Sequence, residues 1–490
     1  MEEILLFFPG KKESAPYIPL SVVYLGTALK KAGYKPRIVD TRVEAFEGLG
    51  RREYLFVGIS SITGSQLRHG LEIAGRIRDE NPGLPIVWGG VHPTCLPEQT
   101  ASHRLVDIVI RGDGEETIVE LADSFAKGTP LGKVNGLTYR QEGEIVNTPN
   151  RQFTDLNRIG NLEYGLIDLG RYIDAKGYFS YQSSRGCPHN CTFCYNQGYN
   201  KGSWRSKSAE VVIDELKYIV DVLGINKIHF QEDNFFVSKE RAVKICSGII
   251  EEGLDIDWMA YNRMDYFSGY EDEFISLIKR SGCNLLFFGG ESGSQRILDY
   301  MRKDITTGQI IATVKKCKQF DITPRVSFVI GWPDESRDDV LKTLDFVDEI
   351  KAIHPDADIC SLFVLIPFPG TPVHEIAVSR GAKELTSLEE WADWRLDKAE
   401  LPWLTNEERA ELTAISNIIR FNHFHQRLSS FKSETKKAWL GNTPFMIAGY
   451  DVFHRIYEIS AKMRWKRRNF KYPYEWIAWG VVRDRFINMV

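Results

Sequence analysis

The sequence has few cysteines, no long apolar run and no marked excess of either charge. Eight cysteines in 490 residues are too sparse for a disulfide scaffold. No apolar stretch approaches the roughly 20 residues that a membrane-spanning helix needs. Lysine plus arginine number 62 against 66 acidic residues, a formal net charge of −4, so the balance carries no nucleic-acid signature. A hydrophobic share of 43% excludes a disordered chain. The start, Met1-Glu2-Glu3 before Ile4-Leu5-Leu6-Phe7-Phe8, lacks the basic segment and small-residue cleavage site of a secretory leader. The expectation is a multidomain cytoplasmic protein with reduced thiols.

What is present is alternation. Apolar runs at Ile4–Phe8, Arg37–Asp40, Leu55–Ser60, Ile86–Trp88 and Ile108–Ile110 are separated by helical stretches, such as Leu20–Ala32 and Gln66–Arg78. Residues 1–133 therefore read as an α/β domain, a doubly wound, Rossmann-like parallel sheet. Ligands of such sheets sit at the carboxyl ends of the strands. Those ends carry Pro9-Gly10, Ser60-Ser61-Ile62-Thr63, Gly89-Gly90-Val91-His92 and Gly112-Asp113-Gly114-Glu115. Small residues there let a bulky ligand lie against backbone, although ordinary turns use the same residues. Residues 134–172 read as a connector, with a hairpin within Thr138–Val146.

A second series, 173–385, has strands at Phe179–Ser183, Lys227–Gln231, Asp257–Asn262, Leu285–Gly289, Arg325–Ile330 and Ile359–Ile366. Amphipathic helices such as Ala209–Leu223, capped by Ser208, lie between them. Six units fall short of a closed eight-strand barrel, so a partial (β/α)6 barrel is expected. Residues 386–490 hold seven of the chain's 11 tryptophans and the basic run Lys462-Met463-Arg464-Trp465-Lys466-Arg467-Arg468. They read as a mostly helical region that caps the barrel and lines a substrate site.

The densest chemistry is Cys187, Cys191 and Cys194, a C-x-x-x-C-x-x-C on the loop after the first strand of the second series. Three thiolates this close can each bind one iron of a cubane and leave the fourth iron open. A zinc site completed by His189 is the alternative, although structural zinc wants four ligands. The other five cysteines read as core or neutral positions.

The triplet, with aromatic Phe193 in C-x-x-x-C-x-aromatic-C and Tyr195 directly after it, resembles the radical S-adenosylmethionine (SAM) superfamily. The resemblance continues at successive strand ends. Glu232-Asp233 after the second strand implies contact with the methionine amino group, and Arg263 after the third implies a partner for the SAM carboxylate. Gly289-Gly290-Glu291-Ser292 after the fourth implies ribose and methionyl contacts, and Ile330-Gly331 after the fifth implies an adenine contact. Cys187, Cys191 and Cys194 would hold a [4Fe–4S] cluster that cleaves SAM to a 5′-deoxyadenosyl radical.

An α/β domain directly before such a barrel resembles the cobalamin-binding subclass. That likeness implies cobalamin contacts at Pro9, Gly10, Ser60, Ser61, Thr63, Gly89, Gly90, His92, Gly112 and Glu115. The cobalt-ligating D-x-H-x-x-G of other cobalamin domains is missing, since the first loop reads Phe8-Pro9-Gly10-Lys11-Lys12-Glu13-Ser14. His92 is the substitute to consider, although a polar loop residue near the corrin edge is the plainer reading of it. Methylthiotransferases share the layout but carry three further cysteines before the barrel, where this chain has only Cys95.

The expected activity is methylation of an unactivated carbon of a small-molecule or lipid-like substrate, with electrons from a flavodoxin or ferredoxin. Cyclisation, ring contraction or oxidation with the same cofactors is the alternative, and a non-catalytic cobalamin/Fe–S sensor is the reading from another class. No nucleic-acid partner is expected. Peripheral membrane contact through the basic, tryptophan-rich end competes with simple packing of a terminal helix.

Overall fold

The computed structural model describes residues 2–12, 16–46, 48, 53–173, 177–395, 399, 401–423 and 458–471. The first sheet has seven strands: β1 Glu3–Phe8, β2 Lys35–Asp40, β3 Val57–Ser60, β4 Ile86–Gly89, β5 Ile108–Ile110, β6 Leu137–Gln141 and β7 Glu144–Asn147. Their spatial order is β2-β1-β3-β4-β5-β6-β7. The first five are parallel to their neighbours, in register Leu5↔Val57 and Val57↔Ile86. The order reverses between β1 and β3, and that switch point opens a crevice at the carboxyl ends.

β6 and β7 are antiparallel additions to β5. The expected hairpin is there, turning at Glu142 and Gly143, whose φ angles are 53° and 90°. The sheet nevertheless takes up residues 137–147, which the sequence reading left in the connector. Leu137, Thr138 and Tyr139 are all buried, so the start of β6 is covered on both faces.

Trp88 of β4 is fully buried and donates its indole N–H to the Leu105 carbonyl at 3.1 Å. The helix Ser65–Glu80 crosses it at Gly70, where a Cβ would stand 2.8 Å from the indole. Leu388, Trp391 and Trp394 join the same core with Leu67 and Ala74. The first residues of the expected C-terminal cap are thus core of the first sheet's layer. The reason is apolar area: two buried tryptophans bring this segment against the start of that helix, where Gly64 N–H donates to the Trp391 carbonyl at 3.1 Å.

The chain divides into two compact units, one of residues 1–261, 271–284 and 366–400, the other of 262–270, 285–365 and 401–490. The first unit also holds the parallel strands β8 Phe179–Tyr181, β11 Lys227–Phe230 and β12 Asp257–Asn262, paired in that order. An antiparallel hairpin, β9 Ser184–Gly186 with β10 Trp204–Ser206, closes the ends of the cysteine loop. Ser208 caps the helix Ala209–Lys217 as expected, but the chain then winds wider over Tyr218–Val222.

The second unit holds most of β13 Cys283–Glu291, with β14 Thr323–Ile330 and β15 Asp358–Val364, parallel in that order. The helix Arg337–Ile353 starts at a capping box of Ser336 and Asp339. The helix Asn406–His423 packs on β15. All six strands of the second series are therefore present. Trp439, Trp476 and Trp479 lie outside the described residues.

Candidate cofactor site

The cysteine loop leaves β9 at Gly186 and returns at β10. Cys194 N–H donates to the Cys191 carbonyl at 3.2 Å, curling the C-x-x-C turn, and Gln197 Nε2 donates to the His189 carbonyl at 2.7 Å. Cys191 is buried and its two companions are half-buried. Asp233, on the loop after β11, ties both ends together. It accepts Gly186 N–H at 2.9 Å, just before Cys187, and the Tyr195 hydroxyl at 2.5 Å, just after Cys194.

Glu232 lies deeper. Ser183 Oγ donates to it at 2.7 Å and Ser184 Oγ donates to its other oxygen, while Arg241 reaches Ser183 Oγ at 2.7 Å. Burial pushes its carboxyl up to about 7 against the opposing pull of Arg241 and Ser183. In this arrangement Glu232 braces the strand that leads to the cysteines.

A cavity opens at the switch point of the first sheet. Its volume is about 210 Å³, and it is open to solvent. Ser60, Gly89, Gly90, Gly112 and Glu115 line it from the first sheet, and Arg185, Tyr195, Tyr199 and Asp233 line it from the cysteine side. Gly90 has φ 105°, and a Cβ there would stand 2.5 Å from the Ser61 carbonyl oxygen, so only glycine serves.

Pro9, Gly10, Ser61, Thr63 and His92 are not among the lining residues. Gly10 is held by Thr41, and Ser61 is fully buried behind Gly90. His92 is fully buried too, its Nδ1 2.9 Å from Thr63 Oγ1 and its ring edge-on to Trp391. Burial pushes the imidazole down to about 4, so it is neutral. The structure turns His92 away from the cavity, because the tryptophan of the returning segment fills the space beside it.

One wall is electrostatic. Asp113 accepts Arg205 Nη2 at 2.7 Å and stands 3.1 Å from Arg185 Nη1; Arg185 Nη2 also donates to Glu115 Oε1 at 2.6 Å. Burial disfavours the Arg185 charge, but Glu115 and Asp113 outweigh it and hold the guanidinium well above its usual range.

In the second unit, Glu291 adopts φ 61° and pairs with Lys303 Nζ at 2.8 Å, both nearly buried. A Cβ at Gly289 would overlap that carboxylate and come within 2.7 Å of Lys303 Nζ. Ser292 is fully buried beside Thr343. Arg263 donates to Asp265 Oδ1 at 2.9 Å and to the Lys303 carbonyl at 2.6 Å. After β14, Glu335 accepts the N–H groups of Gly331 at 2.5 Å and Trp332 at 3.1 Å, and Trp403 Nε1 donates to the Gly331 carbonyl at 3.0 Å. Ile330 is buried beneath this turn.

Two family models match: the radical SAM superfamily over residues 181–347 and the B12 binding domain over residues 14–122. An uncharacterized methyltransferase of Pyrococcus horikoshii is 34% identical over 392 residues, covering 77% of this chain and 83% of its own. The chain belongs to the cobalamin-binding radical SAM enzymes.

An anaerobic magnesium-protoporphyrin IX monomethyl ester cyclase of Synechocystis is 28% identical over 392 residues, covering 76% of this chain and 75% of its own. The fold is shared with the radical SAM methyltransferase TsrM of Kitasatospora setae, solved with cobalamin and a [4Fe–4S] cluster bound. The TM-score is 0.66 at 20% identity, over 78% of each chain.

The residues of this cobalamin-binding radical SAM enzyme fit the cofactors of its family. Among the described residues no three His, Cys, Asp or Glu side chains converge as a single ion requires. A cubane takes its three thiolates on three separate irons, a spread that Cys187, Cys191 and Cys194 on one short loop can supply. The B12 domain's cavity offers glycine backbone at Gly58, Gly89, Gly90, Gly112 and Gly114, against which a flat ring can lie.

Arg185 and Asp113 are not singled out by the sequence pattern, although Asp113 stands inside a strand-end motif and Arg185 just before the cysteine triplet. The basic residue two places before Cys187 and the aspartate between Gly112 and Gly114 were the available signal. At the C-terminal end, Trp465 Nε1 donates to Asp348 at 2.8 Å, and Arg468 pairs with Asp345 and Asp348 at 2.6 Å each. That engagement supports the packed-helix reading of the basic run. No helix among the described residues is long and apolar enough to cross a membrane.

Proposed function

We propose that this enzyme methylates an unactivated carbon of a small-molecule or lipid-like substrate, with Cys187, Cys191 and Cys194 holding the cluster. The observation that carries the reading is the shared cavity. Gly89, Gly90, Gly112 and Glu115 of the B12 domain and Tyr195, directly after Cys194, line one space. When bound, the cluster with SAM supplies a hydrogen-abstracting radical and methylcobalamin supplies the methyl group.

The chain's own part is positioning. Asp233 holds the cysteine loop closed, and Asp113 with Glu115 fixes Arg185 beside it. Glu291, Lys303, Arg263 and Gly331 are the SAM-binding groups of the second unit in this reading. A flavodoxin or ferredoxin is the proposed electron source.

Turnover with SAM bearing a deuterated methyl group tests the proposal. Label appearing in the cobalamin, together with S-adenosylhomocysteine, supports methyl transfer. Formation of 5′-deoxyadenosine and methionine alone supports the second reading, a cyclase, which the likeness to the Synechocystis enzyme favours.

A further inference from the structure

Residues 458–467 are helical, and the two faces of this helix differ. One face is packed: Glu458, Ala461 and Trp465 are buried, and Trp465 and Arg468 engage Asp348 and Asp345 of the helix Arg337–Ile353. The other face carries Ile459, Lys462, Met463, Lys466 and Arg467, all exposed. At 3.6 residues per turn these five fall within an arc of about 140°.

Ile459 and Met463 are 54% and 50% exposed and stand one turn apart. Single exposed apolar residues are ordinary, but this pair has Lys462 and Lys466 along one flank and Arg467 along the other. From Ile459 to Tyr472 the chain has six lysines and arginines and no Asp or Glu. Three of the six are engaged within this unit. Arg468 holds Asp345 and Asp348, Arg464 Nε donates to the Asn469 carbonyl at 3.0 Å, and Lys462 pairs with Glu458 one turn back. Lys466 and Arg467 point their charge at solvent beside the apolar pair.

A nucleic acid would take up the cations and leave Ile459 and Met463 in water. A bilayer with anionic headgroups meets both: its phosphates attract Lys466 and Arg467, and its acyl boundary takes the apolar side chains. We propose that this helix face is a docking surface for an anionic membrane. Trp465, the aromatic residue of the basic run, takes no part, because it is the buried anchor of the opposite face. Two apolar side chains and a few cations make a reversible contact that lies in the headgroup region. The inference is independent of the reaction proposed above.

The test is sedimentation of the full chain with vesicles of phosphatidylcholine, alone or with phosphatidylglycerol added, at low and high salt. The wild type is expected to bind the anionic vesicles, to lose that binding as salt rises, and to leave neutral vesicles alone. Lys466→Gln with Arg467→Gln is expected to weaken binding about 25-fold, about fivefold per cation. Ile459→Gln with Met463→Gln, which keeps every charge, is expected to weaken it about tenfold. All four positions are exposed, and unchanged unfolding midpoints check that the variants fold. A wild type that ignores anionic vesicles overturns the inference without any variant, and so does equal binding to neutral ones. An Ile459/Met463 variant that binds like the wild type also overturns it, since the face is then a basic patch for any polyanion.

Discussion

Tyr195 donates its hydroxyl to Asp233 Oδ1 at 2.5 Å, while Gly186 N–H occupies the other oxygen at 2.9 Å. One carboxylate thus fixes both ends of the segment that carries the three cysteines. Supports behind metal ligands typically change metal affinity 10–100-fold when removed. Asp233→Ala is therefore expected to lose its iron to a chelator about tenfold faster than the wild type. Tyr195→Phe, which leaves the Gly186 contact in place, is expected to fall between the two. Equal iron loss in all three proteins, measured anaerobically, contradicts this role.

Asp113 is 1% exposed at its side chain and joins two arginines that face each other across the hairpin framing the cysteines. Removing one partner of a buried pair leaves charge stranded, at a cost of about 3–5 kcal/mol. Asp113→Ala is expected to lower unfolding stability by about 3 kcal/mol in denaturant titration. A loss below about 1 kcal/mol, the range of a surface pair, would show that water already reaches these arginines.

Glu335 sets a pH dependence. Burial pushes its carboxyl up to about 7, against the lowering effect of the Trp332 and Gly331 N–H groups. A folded value above the unfolded one means that its contribution to stability is whole below the unfolded value of about 4.5 and is lost as pH rises to 7. Glu335→Gln keeps an acceptor for those N–H groups and does not ionise. Its stability relative to wild type is expected to improve by about 2–3 kcal/mol between pH 5 and pH 8. A difference that does not change with pH would refute the assignment.

Much of this was legible in the sequence because strands and their glycine-rich exits are local signals. The cysteine triplet, the acidic pair at Glu232-Asp233 and the Gly89-Gly90 turn needed no tertiary information to be noticed. What each residue touches did. The sequence leaves His92 between a cobalt ligand and a polar loop residue, and carries no sign of its contact with Trp391, 299 positions later. Arg185 was passed over because its partners Asp113 and Glu115 lie some 70 residues earlier. Residues 137–147 were misplaced because a two-strand antiparallel addition is short and half-exposed, and its burial depends on β5.

The central claim is that three cysteines leave one iron open for SAM. The most direct measurement is anaerobic incubation of the reconstituted protein with SAM and a strong reductant, assaying 5′-deoxyadenosine. The account predicts its formation by the wild type and its loss in Cys191→Ala with cobalamin binding retained. A fully loaded cluster that leaves SAM intact, or undiminished cleavage by Cys191→Ala, would contradict it.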